Sequence, residues 1–152
     1  MNAMTAALST ALPTTFSTLS PAIAIHLTAA LLATAMGPVA LWARLGKTQR
    51  TRLHRAAGYA WVTLMVVTAL SALFIHGNKG PHIAGFGPIH LLVPVSLGLI
   101  ALSFRYLVRG NIQGHRKTMQ GVYIGACLVA GAFTLLPQRL LGHWLWSSLG
   151  LI

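Results

Sequence analysis

Residues 22–43 read AIAIHLTAALLATAMGPVALWA, and residues 44–55 follow directly as RLGKTQRTRLHR. The first segment has no charged residue, whereas the second has five Arg or Lys residues. Because about 20 mostly apolar residues are needed to cross the hydrocarbon core of a bilayer, the first segment predicts a membrane-spanning helix. The basic run that follows predicts the point where this helix leaves the membrane.

Three further apolar windows follow, at about 56–76, 89–108 and 118–141. The connections between the four windows are short, and short connections favour antiparallel neighbours. We therefore predict an all-α protein, a four-helix transmembrane bundle with up-down topology. The predicted domains are a polar N-terminal tail at 1–21, the transmembrane domain at 22–146 and a C-terminal tail at 147–152.

The composition excludes several classes of protein. Of the 152 residues, 55% are hydrophobic and 7% are charged, and not one is Asp or Glu; a soluble domain carries roughly 25% charge. The net charge of +11 does not predict nucleic-acid binding, because the basic residues lie in short clusters between apolar runs. Without Asp or Glu there are no residues for paired-carboxylate hydrolysis, an Asp-supported triad or an Asp/Glu proton relay. We predict no hydrolytic or transferase site. The chain is expected to carry out electron transfer at most.

The basic residues also predict the orientation. Nine of the eleven belong to the first and third connections, while only Lys79 and Arg139 lie elsewhere. Under the positive-inside rule, the first and third connections face the cytoplasm and both termini face away from it. This predicts a multi-pass protein of the bacterial inner membrane, in contact with anionic lipids. Six aromatic residues are expected as anchors at the two interfaces: Trp42, Tyr59, Trp61, Tyr106, Trp144 and Trp146.

The two halves of the sequence resemble each other. The first window opens with Ile-His-Leu around His26 and the third with Ile-His-Leu around His90. His54 and His115 are each followed by Arg, before the second and fourth windows. We interpret the chain as a duplicated helical hairpin, with the halves related by an axis along the membrane normal. In an up-down bundle, His26 and His90 then face each other at the outer surface, and His54 and His115 at the inner surface.

Facing imidazoles on bundle helices are typical axial ligands of b-type haem. The small residues Gly37, Gly121 and Gly125 would leave room for the porphyrin. The propionates need cations, which Arg55 and Arg116 would supply on the inner side and Arg139 on the outer side. The predicted haem iron ligands are His26 with His90, which we expect to be the better pair, and His54 with His115.

Each of these features also has a structural interpretation. An interfacial histidine is often only a polar anchor, and small residues at four-residue spacing often mark close contact between helices. His76 and His82, together with His90, could instead hold Zn or Cu at the outer surface. His143, beside Trp144, is expected at the interface, and Cys127 is expected to be a small buried hydrophobic residue.

The order IH…HRxxGY…IH…HRxxM, followed by LPxR at 136–139, resembles the small four-helix bacterial membrane proteins of unknown function grouped as DUF2306. The similarity covers about residues 22–146 and implies the fold. The alternation of four histidines over four helices is also similar to the di-haem transmembrane cytochromes b that carry electrons from ascorbate. That resemblance implies one haem on His26 and His90 and a second on His54 and His115.

Two functions therefore remain open. The first is a small membrane electron carrier with one or two b haems. The second is a non-catalytic accessory subunit of a larger membrane complex, respiratory or photosynthetic, or a homo-oligomer. A surface without acidic residues suits either anionic lipids or an acidic partner.

Overall fold

A computed structural model of the protein describes residues 19–44, 50–75 and 88–151. Every regular element in these ranges is helical, and we number five helices. The helix α4 consists of three consecutive segments, the middle one in π-helical conformation, and α3 follows a short 3-10 turn, Pro88–Leu91. The bounds are α1 Pro21–Trp42, α2 Thr51–Ala72, α3 Leu92–Val108, α4 Ile112–Val122 with Tyr123–Val129 and Ala130–Thr134, and α5 Leu140–Ser148.

Local sequence signals fix two of the helix starts. Ser20 caps α1 by accepting a hydrogen bond from the Ile23 N–H, and Pro21 takes the first helical position, where its missing N–H costs nothing. Gly110 has a φ of +72°, which turns the chain after α3. Asn111 then caps α4 by accepting from the Gly114 N–H at 2.8 Å.

The first three predicted windows agree with α1, α2 and α3 to within five residues at each end. The fourth differs, because α4 begins at Ile112, six residues before the predicted start at 118, and ends at Thr134, before the predicted end at 141. The Asn111 cap explains the early start. Pro137 lies in the break between α4 and α5, as expected for a residue that cannot continue a helix.

The core brings four helices together. The helix α1 packs along α2, α2 contacts α3, α3 packs along the first segment of α4, and the π-helical segment of α4 contacts α1. These contacts therefore link α1 to α4 in a ring. Each of the four helices supplies buried side chains to one cluster: Ala33, Trp61, Met65, Ile100, Val122 and Cys127.

The outer surfaces of these helices are apolar. Leu31 is 59% exposed in α1 and Phe133 is 58% exposed in α4, and they are two of many exposed large hydrophobic side chains in the described ranges. Two helices in the described ranges, α1 and α2, are long and apolar enough to cross a membrane, and α3 is apolar but shorter. Exposed apolar helices of this length are expected in lipid.

Candidate functional site

His54 and His115, the pair predicted for the inner surface, each make a hydrogen bond to the preceding helix. The Nδ1 atom of His54, at the start of α2, lies 2.9 Å from the carbonyl oxygen of Ala40, near the end of α1. The Nδ1 atom of His115, at the start of α4, lies 2.8 Å from the hydroxyl oxygen of Ser103, near the end of α3. Both histidines therefore connect the ends of consecutive helices.

His26 and His90, the pair predicted for the outer surface, differ from each other. The Nδ1 atom of His26 in α1 lies 2.9 Å from the carbonyl oxygen of Thr68 in α2 and 3.3 Å from the hydroxyl oxygen of Ser71. His90 instead uses Nε2, which lies 3.1 Å from the carbonyl oxygen of Ile75, just after α2. The structure therefore ties His26 and His90 to the same helix region through different ring nitrogens.

These contacts determine which nitrogen carries the proton. A carbonyl oxygen only accepts, so Nδ1 of His26 and of His54 must be protonated. Nδ1 of His115 also faces a carbonyl oxygen, that of Ser103 at 3.3 Å, so its proton can be shared between this carbonyl and the Ser103 hydroxyl. In the neutral form of these three rings, Nε2 keeps its lone pair. Metal-binding histidines usually show this arrangement, with the far ring nitrogen donating to a carbonyl.

The arginines expected to bind haem propionates are exposed. Arg55 and Arg116 directly follow the inner histidines at the starts of α2 and α4. Arg139 lies in the break between α4 and α5, where it precedes the first residue of α5. At the end of α1, the Arg50 guanidinium lies over the ring of Trp42, 4.7 Å from its centroid, a cation–π contact.

A tyrosine joins α1 to the π-helical segment of α4. Pro38 has no N–H, so the carbonyl of Thr34 in α1 lacks its usual helical partner. The Tyr123 hydroxyl donates to that carbonyl at 3.1 Å. The Tyr123 ring lies directly against Gly37, leaving no space for a Cβ atom there. Gly37 therefore allows close packing and offers no room for a porphyrin, whereas nothing lies within 4 Å of a Cβ placed at Gly121 or Gly125.

Next to this tyrosine lies a buried group of sulfur atoms. The Cys127 thiol in α4 lies 3.6 Å from the Met65 sulfur in α2. Trp61, expected at the interface, is instead buried beside them with 5% of its surface exposed. The expectation of an interfacial anchor at Trp61 is therefore wrong, because its ring packs among α1, α3 and α4.

Within the described ranges, no three His, Cys, Asp or Glu side chains come together as a possible metal site. The three-ligand site expected from His76, His82 and His90 lies largely outside these ranges, because residues 76–87 are not described. A haem requires only two axial histidines, so its prediction stays untested.

Comparison with known proteins identifies the family to which this chain belongs. The family DUF2306, described as a predicted membrane protein, matches residues 23–146. The chain belongs to the DUF2306 family. No curated protein and no solved structure matches it. The resemblance of this DUF2306 protein to di-haem cytochromes b therefore gains no support from known proteins and stays a prediction.

The analysis of the sequence did not predict two side-chain contacts of this DUF2306 protein. It did not predict the bond between Tyr123 and Thr34, although Pro38 within an apolar span indicates that the carbonyl four residues earlier needs a donor. It also treated Cys127 as an isolated hydrophobic residue. The proximity of Cys127 to Met65 depends on how α2 and α4 face each other, which periodicity alone does not give.

Proposed function

We propose that this DUF2306 protein crosses the bacterial inner membrane four times, with both termini outside, and that its inner histidine pair binds a b-type haem. The ring of contacts among α1–α4 and their exposed apolar side chains support four spans in an up-down bundle. The exposed arginines at the ends of α3 and the starts of α2 and α4 support a cytoplasmic location for those ends.

The hydrogen bonds of the inner histidines support the duplicated hairpin. In each half, the histidine at the start of the returning helix bonds through Nδ1 to the end of the preceding helix, His54 to Ala40 and His115 to Ser103. The sequence repeat and this structural relationship are separate observations. The outer pair shows no such correspondence, since His26 bonds through Nδ1 and His90 through Nε2.

One observation carries the haem proposal: the Nδ1–H groups of His54 and His115 are both occupied by protein acceptors, which leaves both Nε2 atoms as bases. Nε2 is the usual iron ligand, and a donated Nδ1–H fixes the ring and raises its basicity. At His90 the Nε2 atom itself bonds to the Ile75 carbonyl, so in the pair of His26 and His90 only His26 keeps Nε2 as a base. The proposal therefore puts the inner pair first, although the sequence favoured the outer pair.

The surrounding residues suit such a group. Arg55 and Arg116 are exposed beside the two histidines, where their guanidinium groups could pair with propionates. Gly121 and Gly125, about two and three turns beyond His115, have nothing within 4 Å of an added Cβ. A bound haem would supply reversible one-electron transfer, and the protein would hold and orient it through these side chains.

The test is the haem content of matched histidine variants. Full-length protein is expressed with ample haem, purified in detergent and assayed for haem per chain. We expect His54→Ala and His115→Ala each to lose the haem, and His143→Ala, an exposed histidine in α5, to keep it. Wild-type-like haem content in both His54→Ala and His115→Ala would contradict the assignment to the inner pair.

A second candidate function is supported by the same bonds. Each described histidine in α1–α4, and also His90, forms a hydrogen bond that connects two helix regions. Such a bond satisfies a polar group that would have no water partner in lipid. In this alternative the histidines are structural, and the protein is an accessory subunit. Its basic ends, with no acidic residue in the chain, would then contact anionic lipids or an acidic partner. Purification without haem but with a stoichiometric partner from the native membrane would favour this alternative.

A further inference from the structure

One arginine side chain is held against the end of α1. The Arg50 guanidinium lies over the Trp42 ring, 4.7 Å from its centroid, and the Arg50 N–H donates to the Ala43 carbonyl oxygen at 2.9 Å. Both Arg50 and Trp42 are exposed, and Trp42 keeps 54% of its surface accessible. The two contacts restrict the arginine before any ligand arrives, which lowers the entropy cost of binding through its guanidinium.

The second half of the chain uses the corresponding position differently. Arg50 and Asn111 each lie four residues before the second histidine of their half, and each directly precedes the returning helix. Asn111 caps α4 with its side chain, whereas Arg50 makes no capping bond to α2. An arginine side chain has no acceptor atom, so it cannot cap a helix. Helix capping therefore does not explain why an arginine lies at position 50.

The Arg50 guanidinium keeps its capacity to donate hydrogen bonds. A contact with the face of a ring uses the charge of the group and none of its five N–H donors. Among the described residues, none accepts a hydrogen bond from this guanidinium. The whole chain has no Asp or Glu that could form an ion pair with it. Its counter-charge therefore has to come from another molecule.

An exposed apolar stripe leads along α1 to the same place. Leu32, Ala35, Val39 and Trp42 follow one another at intervals of three or four residues, so they share one face of the helix. All four are exposed, Leu32 by 51% and Val39 by 37%. Trp42 ends this stripe, and tryptophan rings are enriched at the level of lipid headgroups. The face therefore offers apolar contact along its length and a cation at its end.

We infer that Trp42 and Arg50 bind the phosphate headgroup of an anionic phospholipid, whose acyl chain lies along the α1 stripe. A guanidinium binds phosphate through two parallel charge-assisted hydrogen bonds, which are stronger than bonds between neutral groups. A headgroup with a net negative charge, such as phosphatidylglycerol, neutralises Arg50, whereas a zwitterionic headgroup carries its own cation. The inference rests on the membrane location of this DUF2306 protein and is independent of haem.

The test measures the binding of single lipid molecules to purified full-length protein by native mass spectrometry in detergent. Phosphatidylglycerol and phosphatidylcholine with the same acyl chains are titrated separately. We expect the first phosphatidylglycerol to bind about tenfold more tightly, as an added charge-assisted hydrogen bond implies. Inorganic phosphate should not displace it, because phosphate has no acyl chain. Equal affinity for the two lipids would overturn the inference, and displacement by phosphate would indicate a site for a free anion instead.

Matched variants separate this site from the general positive charge of the chain. Arg50→Gln and Arg109→Gln each remove one exposed cation, but Arg109, directly after α3, makes no contact with Trp42. We expect Arg50→Gln to weaken phosphatidylglycerol binding about tenfold and Arg109→Gln to weaken it less than about twofold. Trp42→Leu keeps the charge and an apolar side chain, and should weaken binding about threefold through loss of the cation–π contact.

Two results of these comparisons would contradict the lipid site. Equal weakening by Arg50→Gln and Arg109→Gln would show that only diffuse attraction operates. Displacement of phosphatidylglycerol by a polyglutamate peptide would assign Arg50 to an acidic protein partner. A colourless preparation with the expected lipid binding would remove the haem proposal and leave this inference intact, so the two proposals fail separately.

Discussion

The Tyr123 hydroxyl in α4 donates a hydrogen bond of 3.1 Å to the carbonyl oxygen of Thr34 in α1, the carbonyl that Pro38 leaves without a helical partner. In water, solvent could satisfy that carbonyl. In the interior of a membrane protein it needs a protein donor. A hydrogen bond that is missing inside α1 is thus replaced by a donor from α4.

This relationship predicts a coupling between two substitutions. Tyr123→Phe removes the donor and should lower the free energy of unfolding by about 1–3 kcal/mol, because a buried carbonyl loses its partner. Pro38→Ala restores a backbone N–H that can bond to Thr34, so Tyr123→Phe should cost less in that background. Denaturant unfolding in mixed micelles measures both values. Tyr59→Phe, at an exposed tyrosine, is the control, and an equal cost of Tyr123→Phe in both backgrounds would refute the coupling.

Gly37 predicts a steric effect at the same contact. Because the Tyr123 ring lies against it, Gly37→Ala should displace the ring and destabilise the protein by about 1–3 kcal/mol. Gly98→Ala in α3 is the matched control, since nothing lies within 4 Å of a Cβ there. We expect that change to be neutral or stabilising by up to about 1 kcal/mol, through helix propensity. If the two alanine variants unfold alike, the close packing at Gly37 is wrong.

The hydrogen bonds that the histidines make between helices predict an effect on the free energy of unfolding that does not require haem. His26→Ala should lower the free energy of unfolding of haem-free protein by about 0.5–1.5 kcal/mol, because it removes the bond between α1 and the Thr68 carbonyl. His143→Ala alters an exposed side chain and should change stability by less than about 0.5 kcal/mol. The free energy of unfolding of the two variants is measured in the same detergent. An unchanged value for His26→Ala would show that the hydrogen bond to Thr68 does not stabilise the protein.

The proposed orientation predicts which connections can be labelled from outside. In a Cys127→Ser background, Asn78→Cys should react with an impermeant maleimide in spheroplasts, and Gln49→Cys should react only after the membrane is permeabilised. The reason is the concentration of basic residues in the first and third connections. Labelling of Gln49→Cys in intact spheroplasts would reverse the topology.

The sequence allowed most of the helices to be predicted because uncharged apolar runs have few alternatives. The windows for α1 and α2 were close to the observed bounds, Pro21–Trp42 and Thr51–Ala72. The start of α4 was missed because hydropathy marks apolar residues, whereas the helix begins at a polar cap, Asn111. A search for caps after Gly110 would have found it.

The contacts that the predicted site histidines make were only partly predictable from the sequence. The histidines at 26, 54, 90 and 115 were identified by their repeated context, and each makes a contact that links helix regions. Which ring nitrogen each uses depends on helix rotation and on the nearest carbonyl, which the sequence does not encode locally. For the same reason the burial of Trp61 was not foreseen.

The visible absorption spectrum of the wild-type protein, oxidised and then reduced with dithionite, tests the central proposal most directly. Protein expressed with ample haem should show a Soret band that shifts on reduction and a sharp α band, as expected for low-spin haem with two histidine ligands. The spectrum should not change when imidazole is added, since both axial positions are filled. A colourless protein, or a haem that readily binds added imidazole, would contradict ligation by His54 and His115.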